Sequence, residues 1–264
     1  YAKAVETDPR FAAAYSNWGV ALAAMGKPAE ACEKYAKAVE IGPQVATIYR
    51  NWGVALREMG KRAEACEKYA KAVEVDPGDA KAYCNWGVAL VEMGRPAEAC
   101  GKFAEAVEID PRLAAAHSNW GAALTKMGRR VEACGEFARA IEIDPRDVKA
   151  YYNWGLALRQ MSKPAEACEK YAKAVEIDPR VAKAYVGWGR ALVRMGKDAD
   201  ACGKFAKAVQ IDPLDASAYC HWGIALALSG RLAEAEKTWR KAVELKPELK
   251  PQIDKIRKRI LEEQ

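Results

Sequence analysis

Tryptophan returns every 34 residues along this chain, at Trp18, Trp52, Trp86, Trp120, Trp154, Trp188 and Trp222. Proline returns at the same interval in a second column: Pro9, Pro43, Pro77, Pro111, Pro145, Pro179, Pro213 and Pro247. Two columns in one phase mark an array of copied units, each of which buries its apolar face only against its neighbours. The frame predicts seven repeats, 12–45, 46–79, 80–113, 114–147, 148–181, 182–215 and 216–249. A partial unit, 1–11, precedes them and a tail, 250–264, follows. An array of this kind explains how 264 residues escape the size limit of a single core.

Each repeat reads as two helices. In the first repeat one helix is predicted from about Ala12 to Met25. It stops at Gly26, a residue suited to the left-handed cap conformation. The second starts near Pro28, because proline costs nothing in a first helical turn, and Pro96 and Pro164 repeat the signal. It ends before Pro43, since the residue preceding proline is pushed out of the α region; Asp110-Pro111 does the same. Two short helices joined this tightly are antiparallel neighbours.

Comparison between repeats separates buried from exposed columns. All seven share the Trp, the Gly that follows it (Gly19 to Gly223), an Ala-Leu pair (Ala21-Leu22 to Ala225-Leu226) and small residues in the second helix, such as Ala31 and Ala38. An aromatic column in the second helix reads Tyr35, Tyr69, Phe103, Phe137, Tyr171, Phe205 and Trp239. Small residues let helices approach and large ones fill the gaps, so the Trp, Met and Cys columns are also expected to pack between hairpins. In this period, hairpin, Gly, small-residue and closing-Pro pattern the chain resembles the tetratricopeptide repeat family over nearly its whole length. It departs by placing Tyr15 first and Trp18 three residues later, with Leu22 in the family's tyrosine column. The resemblance implies an all-α, right-handed α-solenoid whose concave surface, made by the first helices, binds peptides.

The columns that vary fall on one stripe of each first helix, the inner wall of such a solenoid. Its basic side chains are Arg50, Arg57, Lys81, Lys126, Lys149, Arg159, Lys183, Arg190 and Arg194, against only Glu58 and Glu92. The stripe therefore nets +7 where the whole chain nets +6. A concave wall of one sign focuses its field, so the expected partner is an extended, acidic protein segment. Beside the Trp column runs Asn17, Asn51, Asn85, Asn119 and Asn153, followed by Gly187 and His221. This run resembles the asparagine ladder of the O-linked N-acetylglucosamine transferases of the wider family, which implies contact with a peptide backbone. The other reading is local bonding between adjacent first helices. Val20, Val54 and Val88 stand where the family's carboxylate clamp has asparagine, which implies an apolar strip in the groove floor in place of that clamp.

Other chemistry is thinly represented. Cys32, Cys66, Cys100, Cys134, Cys168 and Cys202 form one column; adjacent helices lie roughly 8–10 Å apart, too far for disulfides, and no C-x-x-C pair suggests zinc. Cys84 and Cys220, on the inner stripe, are expected to be ligand-facing thiols. Eight free cysteines favour a reducing compartment, the cytoplasm. The chain has two histidines, His117 and His221, and no Gly-rich phosphate loop, His-Glu metal motif or nucleophile paired with His, so no catalysis, cofactor or metal is expected. No apolar run reaches membrane-spanning length, and Tyr152 is the main aromatic on the stripe for base stacking, which argues against nucleic acid.

The leading expectation is thus a peptide-binding adaptor. Two alternatives stay open: a module that stacks on copies of itself through an uncapped, apolar N-terminal end, and a recruiting region of a larger enzyme such as a glycosyltransferase. The start at Tyr1, in mid-unit, predicts a piece of a longer chain. The tail carries Ile253, Ile256, Ile260 and Leu261 on one face and reads as an amphipathic capping helix. Gly101, Gly135 and Gly203 inside second helices, each costing about 1 kcal/mol, and Ser162 in the Gly column point to a natural array of recently duplicated units.

Overall fold

The computed structural model describes Tyr1, Thr7, Asp8 and residues 10–262, without the side chain of Leu261. The expected apolar N-terminal end falls largely outside the described residues. Among the described residues the structure is all α. It forms two compact blocks, Tyr1–Ile143 and Asp144–Gln264.

The N-terminal block is a stack of four helical hairpins: α1 (Ala12–Ala24) with α2 (Pro28–Ile41), α3 (Ala46–Glu58) with α4 (Arg62–Val75), α5 (Ala80–Glu92) with α6 (Pro96–Ile109), and α7 (Ala114–Lys126) with α8 (Arg130–Ile143). The C-terminal block stacks three, α9 (Val148–Gln160) with α10 (Pro164–Ile177), α11 (Ala182–Arg194) with α12 (Asp198–Ile211), and α13 (Ala216–Leu228) with α14 (Leu232–Leu245). A 3-10 turn, Pro247–Leu249, then leads into α15 (Lys250–Glu262). Within each block every second helix packs on the following first helix, and successive first helices also touch one another. First helices thereby form the tighter layer of each stack, so the columns they turn away from the second helices share one face.

The helix ends follow the sequence chemistry. Proline opens α2, α6 and α10. Gly26, Gly60, Gly94, Gly128, Gly196 and Gly230 turn the chain between hairpin helices with positive φ, a conformation that costs a Cβ-bearing residue energy. Ser162 takes the same turn at φ 59°.

The glycine after each Trp has a packing cause. A Cβ on Gly19, Gly53, Gly87 or Gly121 would lie 2.6 Å from the ring of Tyr35, Tyr69, Phe103 or Phe137. Those rings are buried, as are Ala31, Ala65, Ala99 and Ala133 beside them. Burying each such ring contributes about 1.5–3 kcal/mol. At the end of the C-terminal block, Ile253 and Ile260 of α15 join Leu226, Trp239 and Ala242 in one cluster.

The tryptophans correct the simple core expectation. All seven are half-buried, because each is a seam residue with one ring face turned outward. Lys34, Lys68, Lys102, Lys170 and Lys204 close that face, with Nζ 4.5, 4.1, 4.3, 4.0 and 3.6 Å from the ring centres of Trp18, Trp52, Trp86, Trp154 and Trp188. An ammonium above an indole face is attracted by the ring quadrupole. Glu30 and Glu166, one turn before Lys34 and Lys170, meet Lys27 and Lys163 instead, at 2.9 Å. Behind three of the indoles lies the cysteine column. The thiols of Cys32, Cys66 and Cys100 sit against the indoles of Trp52, Trp86 and Trp120 in the next repeat. Cys66 and Cys100 also touch the sulfurs of Met93 and Met127 at 3.9 and 3.8 Å. The eight cysteines form no disulfide, and burial raises the thiol pKa of Cys32, Cys66 and Cys100, which makes these three poor nucleophiles. The methionines pack less than expected: Met25 is 70 % exposed, and Met59 and Met127 are also exposed, because they occupy helix C-caps.

Candidate functional site

The variable columns of the first helices hold the candidate side chains, and the two blocks treat them differently. In the N-terminal block, Asn17 of α1 is exposed, whereas Asn51, Asn85 and Asn119 are half-buried. Asn119 donates from Nδ2 to the Cys84 sulfur of the preceding first helix at 3.8 Å, the local bonding that was the alternative to a peptide ladder. Cys84 itself is only 5 % exposed and Cys220 only 4 %. Neither is a ligand-facing thiol, because their column turns toward the neighbouring first helix.

Two of the predicted cations in this block are already ion-paired. Arg50 donates from Nη1 to both carboxylate oxygens of Asp79, at 2.7 and 2.6 Å. Asp79 also accepts from the Ala82 backbone N–H at 3.0 Å, capping α5. Arg57 donates to Glu92 at 2.9 Å, and Arg62 reaches the other oxygen of the same carboxylate at 3.1 Å. Arg50 and Arg57, predicted as groove cations, thus already hold carboxylate partners. Lys81 and Lys126 remain exposed on the same face.

The C-terminal block has the opposite balance. Lys149 and Lys183 are exposed, Asn153 is half-buried, and Tyr152 leans on Tyr171 with ring centres 6.0 Å apart. Toward the other end of α9, α11 and α13, Arg159, Arg190 and Arg194 converge with Val193, Phe205, His221 and Ile224 around a cavity of about 220 Å³. Among the described residues, none of the three guanidinium groups has a carboxylate partner. Arg194 donates to the backbone carbonyl of Arg159 at 3.4 Å. Burial first, then the charge of Arg159, pulls the Arg190 guanidinium below its usual pKa, with Arg194 adding to the effect. Burial and the charges of Arg190 and Arg159 push the His221 imidazole down to about 4, against weak opposition from Asp215. His221 is thus neutral near pH 7 and stacks on Phe205 at 6.2 Å.

One substitution in the asparagine column opens this corner. A Cβ on Gly187 would lie 2.6 Å from the Tyr171 ring and 2.9 Å from its hydroxyl oxygen. Glycine there lets Tyr171 reach between α9 and α11 toward the arginines. Its hydroxyl is buried against the Arg159 guanidinium. Phe205, His221 and Tyr171 were not among the predicted site residues. Their signal in the sequence is faint: it lies in the two breaks, Gly187 and His221, that end the asparagine run. The arrangement is a set of cations with no matching carboxylate, and what it can do is hold an anion.

Comparison with known proteins follows from this geometry. Family models described as tetratricopeptide repeat match residues 12–45, 80–113 and 148–181, and residues 186–249. A model described as TPR repeat matches 53–94. Together they span well over half of the chain. No curated protein matches the sequence. Among solved structures, YrrB, described as a TPR protein with an unusual peptide-binding site, is 27 % identical over 69 % of this chain and 94 % of its own, with a TM-score of 0.55. MamA residues 41 to the end, from Desulfovibrio magneticus RS-1, is 25 % identical over 64 % of this chain and 96 % of its own, with a TM-score of 0.58. PilF of Pseudomonas aeruginosa shares the fold at 23 % identity, with a TM-score of 0.66 over 78 % of this chain and 91 % of its own.

Proposed function

The chain belongs to the tetratricopeptide repeat family, and from that premise we propose that it is a non-catalytic scaffold that holds an extended, acidic protein segment on the first-helix face of its C-terminal block. The fold supports protein or peptide partners in general. The preference for acidic segments rests on one observation: Arg159, Arg190 and Arg194 share a cavity and lack carboxylate partners, while Arg50 and Arg57 of the N-terminal block are ion-paired. Like charges held together in a partly desolvated corner repel one another, and a bound anion relieves that repulsion. Lys149 and Lys183 extend the positive face along the stack. Leu156, Val186 and Ile224 give it half-buried apolar ground. Asn153 offers a backbone-binding amide on this block; Asn17, Asn51 and Asn85, with Lys81 and Lys126, offer a weaker counterpart on the other.

The kinship with YrrB, whose description names a peptide-binding site, supports the same reading. Matched extended peptides carrying Glu or Gln at the same positions test it. The Glu peptide is expected to bind more tightly, with affinity falling steeply as salt rises. Equal binding of the two peptides, independent of ionic strength, contradicts the proposal.

A further inference from the structure

We infer that the pocket formed by Arg159, Arg190 and Arg194 receives a phosphoryl group carried on a serine or threonine side chain of the bound segment. This inference rests on the reading that the C-terminal block holds an acidic segment, and it names what the deepest part of that site selects.

The internal repetition supplies the control. Arg57 and Glu92 lie 35 positions apart, on adjacent first helices, and meet at 2.9 Å. Three repeats later, Arg159 and Arg194 occupy the same two columns. The carboxylate that closes the pair in the N-terminal block is replaced by a third guanidinium in the C-terminal one. Arg190 adds its charge in a column that is otherwise Val20, Val54, Val88, Ala122, Leu156 and Ile224. Two independent departures from the repeat thus place cations in one cavity, and neither brings a counter-ion with it.

The count of charges and donors decides the ligand. In the N-terminal block a single carboxylate, Glu92, serves Arg57 and Arg62. A carboxylate placed among three guanidinium groups neutralises only one charge. A phosphoryl group carries about −1.5 to −2 at neutral pH and presents three acceptor oxygens, which matches a cluster of arginines. Arg159 and the hydroxyl of Tyr171 bond one another, as Arg57 and Tyr69 do in the N-terminal block, so the distinguishing feature of the pocket is its unpaired charge. Uncharged His221 lines the same cavity and can donate one ring N–H. The volume, about 220 Å³, accommodates a phosphoryl group.

The test uses the full chain and one extended acidic peptide made in three versions, with Ser, Glu or phosphoserine at its centre. The phosphoserine version is expected to bind about tenfold more tightly than the Glu version, and inorganic phosphate is expected to compete with it. Arg194→Glu rebuilds the Arg57–Glu92 arrangement within the pocket, so it should fold normally and abolish the preference. Arg190→Leu, which restores the apolar column, should weaken the preference as well. If the Glu and phosphoserine versions bind equally, the phosphoryl assignment fails while the acidic-segment reading stands. If the phosphoserine preference survives Arg194→Glu and Arg190→Leu, the pocket is not the receptor and the assignment likewise fails. If no version binds, both readings fail.

Discussion

Single residues show how a copied unit adapts to its place. Three residues before the Trp, repeat 4 has His117 where the other six repeats have tyrosine (Tyr15, Tyr49, Tyr83, Tyr151, Tyr185 and Tyr219), and it has Glu136 in the column of lysines that cover tryptophans. The two substitutions answer each other. His117 Nδ1 lies 2.7 Å from the Glu136 carboxylate and Nε2 lies 3.1 Å from the Pro111 carbonyl, in a buried setting. Removing one partner leaves a buried polar group unsatisfied, so Glu136→Ala should destabilise the chain by about 3 kcal/mol. The double change His117→Tyr with Glu136→Lys, which restores the pattern of the other repeats, should recover most of that loss. Chemical unfolding of the two single variants and the double one measures the coupling.

His221 gives a second test at this scale. Its pKa of about 4 in the fold lies below the ordinary 6.5, so the unfolded chain takes up a proton first as pH falls. The stability tied to its neutral form is complete above pH 6.5 and is lost as the pH falls toward 4, by at most about 3 kcal/mol. The groups that face it are Arg159, Arg190, Asp215 and the Phe205 ring. A thermal-midpoint profile against pH should therefore flatten in that window in His221→Gln; an unchanged profile would mean that the imidazole is not held neutral.

At the scale of helices and hairpins, most of the fold was legible in the sequence, and the reasons for the remainder are physical. Column identity located the hairpins, because Pro28, Gly26 and Pro43 each act on their own stretch of backbone. The seam was harder to see. That Lys34 lies on Trp18, and that Cys32 sits against Trp52, depends on side chains meeting across helices. Glycine separates the two kinds of information. Gly87 and Gly101 differ in sign although both are helical: a Cβ at Gly87 would strike Phe103 at 2.6 Å, while one at Gly101 meets nothing within 4 Å. Gly87→Ala should cost about 1–3 kcal/mol by overpacking. Gly101→Ala, Gly135→Ala and Gly203→Ala, all in open space, should each stabilise by about 1 kcal/mol. Denaturant midpoints of the single variants check both signs.

For the whole molecule, charge counting along the sequence found the positive face but not which cations are free. Arg57 and Glu92 are 35 residues apart, and nothing local announces that they meet. Recognising the same spacing between Arg159 and Arg194 would have divided carboxylate-paired arginines from those without a carboxylate. That division yields a further expectation. Arg50→Gln leaves Asp79, itself buried, without its partner and should destabilise the chain by about 2 kcal/mol, yet it should not weaken an acidic peptide. Arg159→Gln should do the reverse, weakening the peptide about tenfold with little loss of stability. Paired calorimetric titrations and melts on the two variants separate the roles.

The most direct examination of the anion site is an NMR titration of the full chain with an acidic peptide, following the guanidinium Nε–H signals and the His221 ring. The account predicts that Arg159, Arg190, Arg194 and His221 move together and saturate at one affinity, with the Arg50 and Arg57 signals unmoved. Saturable changes confined to the second helices, or centred on Arg50 and Arg57, would contradict it.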